Sequence, residues 1–510
     1  MTHMARTTKP QTLGELRESG YRTLPVRLEM RRNLRRKLAA GEELFPGVLG
    51  YDRTVIPGIV NAMLAGHDMI LLGLRGQAKT RLLRSLRDLL DDEIPILAGT
   101  DLNDDPFDPV SVPGQKMVAD HGDDAPIEWL PREARYNEKL ATPDVSIADL
   151  LGDLDPIKAA TRKLTYADPE VMHFGIVPRT NRGIFAINEL PDLAPRIQVG
   201  LLNLLEERDL QIRGFPIRIP LDILLVFSAN PEDYTNRGSI ITPLKDRISS
   251  QILTHYPDDP EVSAAITHQE AWLDRQDEEP GAEVVIPKDF RLLIEEVAFV
   301  ARESELVDQA SGVSARMAIS ALELLQSNLE RRGLVTGESA VYPRLCDLHM
   351  LLPALTGKVE MVYEGEQQGA EVVAKNLIGQ AVKRVFEKTF PAVERGVGSG
   401  GEDDVGPWAD IVRWFADGNS VSLSDSTPFE AYQTELEQVP GLAEIAYPRA
   451  GDTAEEKAFM AEMALEGLHQ HMKLAREDLD SLISYKEVVK FQLLKSRRLR
   501  SVSEDEDLFH

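Results

Sequence analysis

Gly73-Leu74-Arg75-Gly76-Gln77-Ala78-Lys79-Thr80, followed by Arg81, is the stretch on which the reading of this chain turns. It comes after an apolar run, Met69-Ile70-Leu71-Leu72, and opens onto a segment of helical character, residues 81–90. Strand, glycine-bearing loop, Lys-Thr and helix, in that order, form the setting in which backbone N–H groups and a helix start cradle phosphates. In such a setting residues 73–81 surround the phosphates. The Lys79 ammonium reaches the outer phosphates and the Thr80 hydroxyl ligates Mg²⁺. One position departs from the common pattern: Ala78 stands where a second glycine usually sits.

Outward from this loop, short apolar strands alternate with helical segments as far as Tyr256, the pattern of an α/β fold built on a parallel sheet. The expected strands are residues 68–72, 94–97, 183–187, 223–229 and 249–254. An insertion rich in Asp and Pro, residues 101–182, separates the second from the third and is too long for a simple loop.

The ends of these strands carry polar residues in a suggestive order. Gly183-Ile-Phe-Ala-Ile runs into Asn188-Glu189, where a nucleotide-hydrolysing site keeps one acidic group for the metal's water shell and one to polarise the attacking water. Glu189 occupies the second position, while Asn188 offers an uncharged amide at the first. The same residues also describe a buried strand ending at a polar turn. Ile223-Leu-Leu-Val-Phe-Ser-Ala runs into Asn230-Pro231, either a water-orienting amide or an ordinary turn. Arg247, after Asp246, is an arginine that could serve a neighbouring subunit's phosphates, or one half of a surface ion pair. Arg316 begins a helix behind the capping residue Ser314, either as a phosphate-facing arginine or as a surface residue.

Length and composition bound the rest. A chain of 510 residues exceeds one ordinary core and implies two to four domains. No apolar run approaches the ~20 residues of a membrane span, and residues 1–22 lack a secretory apolar core. A single cysteine, Cys346, excludes an intrachain disulfide framework and fits a cytoplasmic location. A net charge of -27 argues against nucleic-acid binding as the main task. The local exception is Arg22, Arg27, Arg31, Arg32, Arg35, Arg36 and Lys37, a solvated helix face, a subunit contact or a dock for an acidic partner. His469 and His471, two apart on an expected helix, point to different faces and read as exposed polar residues rather than metal ligands.

The expected organisation is a tail and basic helix over residues 1–44 and a nucleotide-binding α/β domain over 45–256. An α-helical lid follows over 257–393, then a flexible acidic linker, 394–406. Residues 407–510 read as a C-terminal helical region with an acidic tail, its last helical stretch, 453–500, being either a helical hairpin or a coiled-coil-like partner surface.

Taken together, phosphate loop, acidic strand end, strand-end Asn, Arg and lid Arg stand in the chain order of an AAA+ ATPase. In detail the wording resembles the magnesium chelatase I-subunit and MoxR-type ATPases. GLRGQAKT looks like the MoxR loop, in which Ala also precedes the Lys. Phe45-Pro46 ahead of Gly50 resembles the opening segment of the chelatase subunit, and Arg179-Thr-Asn-Arg-Gly183-Ile-Phe-Ala-Ile-Asn-Glu-Leu190 resembles its strand with flanking Arg and acidic residues. Leu150-Leu-Gly152-Asp-Leu-Asp155 is similar to the family's insertion in its second helix, and residues 211–219 to the hairpin before the sensor strand. The likeness covers residues 45–360. It implies a parallel five-stranded sheet with a helical lid, assembled as a ring, usually a hexamer. It further implies ATP and Mg²⁺ as ligands, with Thr80 and, through water, Asn188 at the metal. Glu189 becomes the catalytic carboxylate, Asn230 the first sensor, Arg247 the finger acting on the next protomer with Asp246 beside it, and Arg316 the second sensor.

Such ATPases work with partners that carry a von Willebrand A domain and its D-x-S-x-S metal motif. Asp417-Gly-Asn-Ser-Val-Ser422 lacks the first Ser of that motif and reads as a turn, so the partner is expected to be a separate protein. Three functions stay open at this point: an ATPase that remodels or activates such a partner, the motor subunit of a tetrapyrrole metal chelatase, and a nucleotide-binding switch that scarcely hydrolyses ATP because of Asn188.

Overall fold

Alternate residues of the central strands belong to two different hydrophobic cores, which is what a parallel sheet covered on both faces requires. The computed structural model describes residues 9–155, 157, 161, 171–211, 218–231, 239–275, 281–393, 406–479 and 482–488. Its largest sheet comprises β1 (Met69–Leu72), β2 (Tyr136–Leu140), β3 (Gly183–Asn188), β4 (Ile223–Ala229) and β5 (Ser250–Leu253). The order across the sheet is β5-β1-β4-β3-β2, all parallel. This is the parallel five-stranded sheet that the resemblance implies. Ile70, Leu72, Phe185, Ile187, Leu225 and Phe227 face one core. Met69, Leu71, Ile184, Ala186, Leu224 and Val226 face the other, with α1 (Val26–Ala40) and α2 (Lys79–Ser85) packed over them.

One strand expectation is corrected. The apolar residues 94–97 form a strand, Glu93–Leu97, but it pairs antiparallel with Ile127–Pro131 outside the main sheet. The fifth place is taken by β2, Tyr-Asn-Glu-Lys-Leu, from within the polar insertion. β2 lies at the sheet edge beside β3 alone, so it can be built from polar residues.

The basic N-terminal helix packs onto the first unit through one side, while Arg32, Arg35 and Arg36 stay exposed, as a solvated face would be. Arg27 pairs with the fully buried Asp68 at 2.6 Å, Arg32 with Asp91 at 2.5 Å, and Arg31 donates to the Leu64 carbonyl. Glu29 of α1, 3% exposed, makes a two-pronged ion pair with Arg135, 1% exposed, at 2.7 Å for each contact. Arg135 also donates through Nε to the Arg182 carbonyl at the start of β3. One pair therefore ties α1, the insertion and the sheet together.

The chain divides into two compact units between Tyr256 and Pro257. In the second, α3 (Lys288–Glu303), α4 (Ala315–Thr336) and α5 (Ala370–Thr389) lie within the stretch 257–393 expected to be α-helical. They share one core with residues from 406–488, including Trp408, Phe415, Tyr432 and α6 (Ala454–Gln470), so these helices and the described part of the C-terminal region are built around common apolar contacts. Phe386 of α5 lies 5.4 Å from Trp408, ring centre to ring centre. The linker 394–405, the hairpin tip 212–217 and the acidic tail lie outside the described residues.

The expected helical stretch from 453 to 500 is also corrected. α6 ends at Gln470, where Met472 adopts a left-handed backbone (φ 59°), and the chain turns into an antiparallel hairpin, Ala475–Leu479 and Leu482–Lys486. The hairpin extends to Val421–Ser424 as a three-stranded sheet. Asp417 lies at the turn between the Ala409–Ala416 helix and that strand. His469 and His471 are half-buried rather than exposed, near the Leu474 carbonyl (3.1 Å) and Glu387 (3.4 Å). Among the described residues no helix is long and apolar enough to cross a membrane, and no cluster of metal-ligating side chains is found.

Removing one partner of a buried ion pair leaves an uncompensated charge. Arg135→Ala is therefore expected to lower the stability of the first unit by about 3–5 kcal/mol. Urea unfolding followed by tryptophan fluorescence and circular dichroism checks this; a loss under about 1 kcal/mol would mean that Glu29 finds water or another partner.

Candidate functional site

Because neighbouring strands run parallel and in register, their C-terminal ends reach one edge together. Leu72 is opposite Ala229, and Phe227 is opposite Ile187. At or just after these ends stand Gly73, Asn230 and Asn188-Glu189, so three separate sequence motifs meet.

The loop is held at both ends. Gly73 N–H donates to the Ala229 carbonyl at 3.2 Å. A Cβ on Gly73 would lie 1.9 Å from Thr254 Oγ1 and 2.1 Å from Gln77 Oε1, so only glycine fits there. Thr254 in turn donates to Gln77 Oε1 at 2.7 Å. The Tyr51 hydroxyl shares its hydrogen between the carbonyls of Gln77 (3.0 Å) and His255 (2.8 Å), and burial pushes its pKa up to about 12, so it stays a donor. Tyr256 donates to the Arg75 carbonyl at 2.7 Å. Tyr51, Thr254 and Tyr256 carried no signal in the sequence: each holds the loop through one hydroxyl from a remote position.

Gly76 and Ala78 both have positive φ, 74° and 54°. That explains why glycine is usual at the second position. Ala78 takes the left-handed conformation just before α2 begins, at a cost of about 1–2 kcal/mol.

Lys79 is 7% exposed and its ammonium points back into the loop. Among the oxygens accepting from it are the carbonyls of Gly73 (2.5 Å) and Leu74 (2.9 Å) and Asn230 Oδ1 at 2.7 Å. Thr80 Oγ1 lies 3.5 Å from Asn188 Oδ1, which also accepts from Ser228 Oγ at 3.0 Å. Glu189 follows in a left-handed conformation, φ 55° and ψ 49°, its N–H donating to Ser228 Oγ at 3.4 Å. A bulky residue at positive φ is uncommon and clusters where side chains must be aimed. Leu74 and Gln77 complete the loop, while Arg75 and Arg81 are exposed.

The structure thus brings Lys79, Thr80, Asn188, Glu189 and Asn230 together. Arg247 sits elsewhere in the first unit, at the end of the Thr242–Arg247 helix. Its Nε and NH2 contact Glu206 Oε2 at 2.7 and 2.6 Å. Asp246 beside it is exposed. Arg316, in the second unit, is exposed in the first turn of α4, where Ser314 Oγ accepts its N–H at 3.2 Å.

Comparison with known proteins finds no matching family model and no matching curated protein. Solved structures similar in fold include a chain from the complex between subunits BchI and BchD of magnesium chelatase, 19% identical. The match covers 64% of this chain and 98% of that one at a TM-score of 0.33. NtrX from Brucella abortus is 12% identical over 62% of this chain and 55% of its own, at a TM-score of 0.31. An ATPase candidate from Cytophaga hutchinsonii is 15% identical over 71% and 97%, at a TM-score of 0.27. These likenesses are distant; the strand order and the loop geometry of the chain itself carry the fold.

Ala78→Gly relieves the left-handed strain and gives back part of it as unfolded-chain entropy, so a net gain of about 0.5–1 kcal/mol is expected. Denaturant unfolding reads it; a loss of stability would mean that the Ala78 methyl contributes packing that outweighs the strain.

Proposed function

We propose that this chain is an ATP-hydrolysing AAA+ ATPase of the magnesium chelatase I-subunit and MoxR type. It acts as a ring, a hexamer on the family pattern, that remodels or activates a separate protein carrying a von Willebrand A domain. The observation that carries the nucleotide reading is the meeting of Lys79 with Asn230 and of Thr80 with Asn188 at adjacent parallel strand ends.

In this reading the loop N–H groups of residues 73–81 hold the phosphates, and Lys79 exchanges its present oxygens for those of the outer phosphates. Asn230, already at hydrogen-bond distance from Lys79, orients the attacking water. Glu189 takes that water's proton as its oxygen bonds to phosphorus and the bond to ADP breaks, leaving ADP and phosphate. The donor set at the strand ends, a Thr hydroxyl and an Asn carbonyl oxygen, fits Mg²⁺ held partly through water. Bound there, Mg²⁺ neutralises phosphate charge. Arg247 serves the neighbouring protomer. Its surface pair with Glu206 is of the kind worth about 0–1 kcal/mol, so exchanging Glu206 for a phosphate costs little. Asp246 positions it, and Arg316 contacts phosphate from the lid.

A specific observation favours a second reading, a nucleotide switch with slow turnover. Asn188 puts an uncharged amide where a carboxylate is usual, and its oxygen is already engaged by Ser228. Asp at 188 keeps an acceptor for both hydroxyls and adds charge. Asn188→Asp is expected to raise phosphate release about tenfold, corresponding to ~1.4 kcal/mol of transition-state stabilisation. Lys79→Ala is expected to abolish it. ATP binding with phosphate release no greater than in the Lys79→Ala protein would leave the switch reading standing alone. Arg247→Ala should retain ATP binding while losing hydrolysis, with partial recovery when mixed with Lys79→Ala protein, whose Arg247 then serves an intact neighbouring loop. No recovery on mixing would remove the trans role.

A further inference from the structure

The second unit contains a cavity of about 580 Å³, within the range of small-molecule sites. It opens between α5, α6, the Leu345–Leu351 turn and the C-terminal hairpin. Apolar wall comes from Leu345, Leu348, Ile378 and Ile483. We propose that this cavity binds an organic cation, an amine or guanidinium carried on an apolar body, whose charge is met by Glu462 Oε1.

Two observations carry the proposal. The first is an unmet acceptor. Glu462 is 0% exposed and lines the cavity. Its Oε2 accepts from Leu345 N–H at 2.7 Å and from Tyr432 OH at 2.5 Å, whereas Oε1 is buried with no hydrogen-bond partner among the described residues. A buried carboxylate oxygen in that state is costly, and a donor supplied from the cavity removes the cost.

The second is charge. The wall contains three carboxylates, Glu371, Glu462 and Glu466, against two permanent cations, Lys375 and Arg476. Lys375 pairs with Glu371 at 2.7 Å, both well exposed. Arg476 pairs with Glu466 at 3.0 Å, and Glu466 also accepts from Gln470 (2.8 Å) and Tyr485 (2.7 Å). Glu462 is the wall carboxylate left over, so the complementary ligand is a monocation.

The titration of Glu462 agrees with this geometry. Burial pushes its pKa up to about 7, against the lowering effect of the Tyr432 and Leu345 donors and with a further rise from Asp347 and Glu466. Burial holds Tyr432, Cys346 and Tyr485, which face it from other elements, well above their ordinary values, and raises Asp347 as well. Burial alone would raise Glu466, but Arg476, His469 and the donors from Gln470 and Tyr485 outweigh it and hold that carboxyl low. His349 and His469 also line the cavity, and Arg332 and Arg344 lie behind Asp347. A cation stabilises ionised Glu462, so affinity rises with pH through 7 and the Glu462 part of that rise disappears with the carboxylate.

The test uses the full-length protein and calorimetric titration with tryptamine, phenethylamine and agmatine. Tryptophol serves as the matched neutral probe and indole-3-propionate as the matched anion. At least one amine is expected to bind, with tryptophol weaker by at least about tenfold for the indole pair and the anion weaker still. Binding by none of the amines up to about 1 mM, or equal binding of tryptamine and tryptophol, overturns the proposal. Glu462→Gln keeps the side-chain shape and is expected to lower amine affinity at least about tenfold and to flatten the pH profile. A folded Glu462→Gln protein that binds as the wild type does also overturns it. If that variant does not fold, the comparison of amine, alcohol and acid on the wild-type protein decides.

Discussion

The hydrogen bond from the Lys79 ammonium to Asn230 Oδ1 joins the first and fourth strands of the sheet at their polar ends, and the candidate site is organised around it. It exists because β1 and β4 are neighbours running the same way, with Leu72 opposite Ala229. A reversed strand would carry its terminal residue to the opposite edge, and the loop would face a strand beginning instead. The same constraint places Asn188 beside Thr80 and Ser228, one strand further across. The covering of both sheet faces follows from it too, since crossovers between parallel strands must pass over a face.

Much of this was legible in the residues. The motif at 73–80, the acidic end of β3 and the amide after β4 each declared a strand end, and parallel pairing brought them together. What stayed hidden has identifiable physical reasons. The residues 94–97 are as apolar as a central strand because they are buried beside their own partner strand, Leu97 in a smaller cluster with Leu13, Leu16, Ala125 and Ile127. Tyr136–Leu140 is polar because it has a neighbour on one side only. Apolar content reports burial, and burial is not the same as membership of the main sheet. The end of α6 was illegible for another reason: Met472 takes the left-handed conformation that a glycine would have announced.

The polar residues of the second unit obey a different logic from those of the first. In the first, buried ions such as Glu29, Arg135 and Asp68 are matched by partners from remote segments, and they hold a basic helix against the sheet. In the second, Arg332 and Asp347 are similarly matched at 2.9 Å, whereas Glu462 Oε1 has no hydrogen-bond partner among the described residues and its side chain lines a cavity. Tight pairing suits a scaffold; an unmet group beside empty space suits a ligand. The two units therefore differ in kind: polar side chains gathered at strand ends in one, and a cavity bounded by helices and a hairpin in the other.

Tyr256 closes the first unit, and its hydroxyl holds the carbonyl of Arg75 in the middle of the phosphate loop. The chain crosses into the second unit at the very next residue. The middle of the loop is therefore fastened by the final residue of the unit that contains it, and the length of that fastening is one side chain.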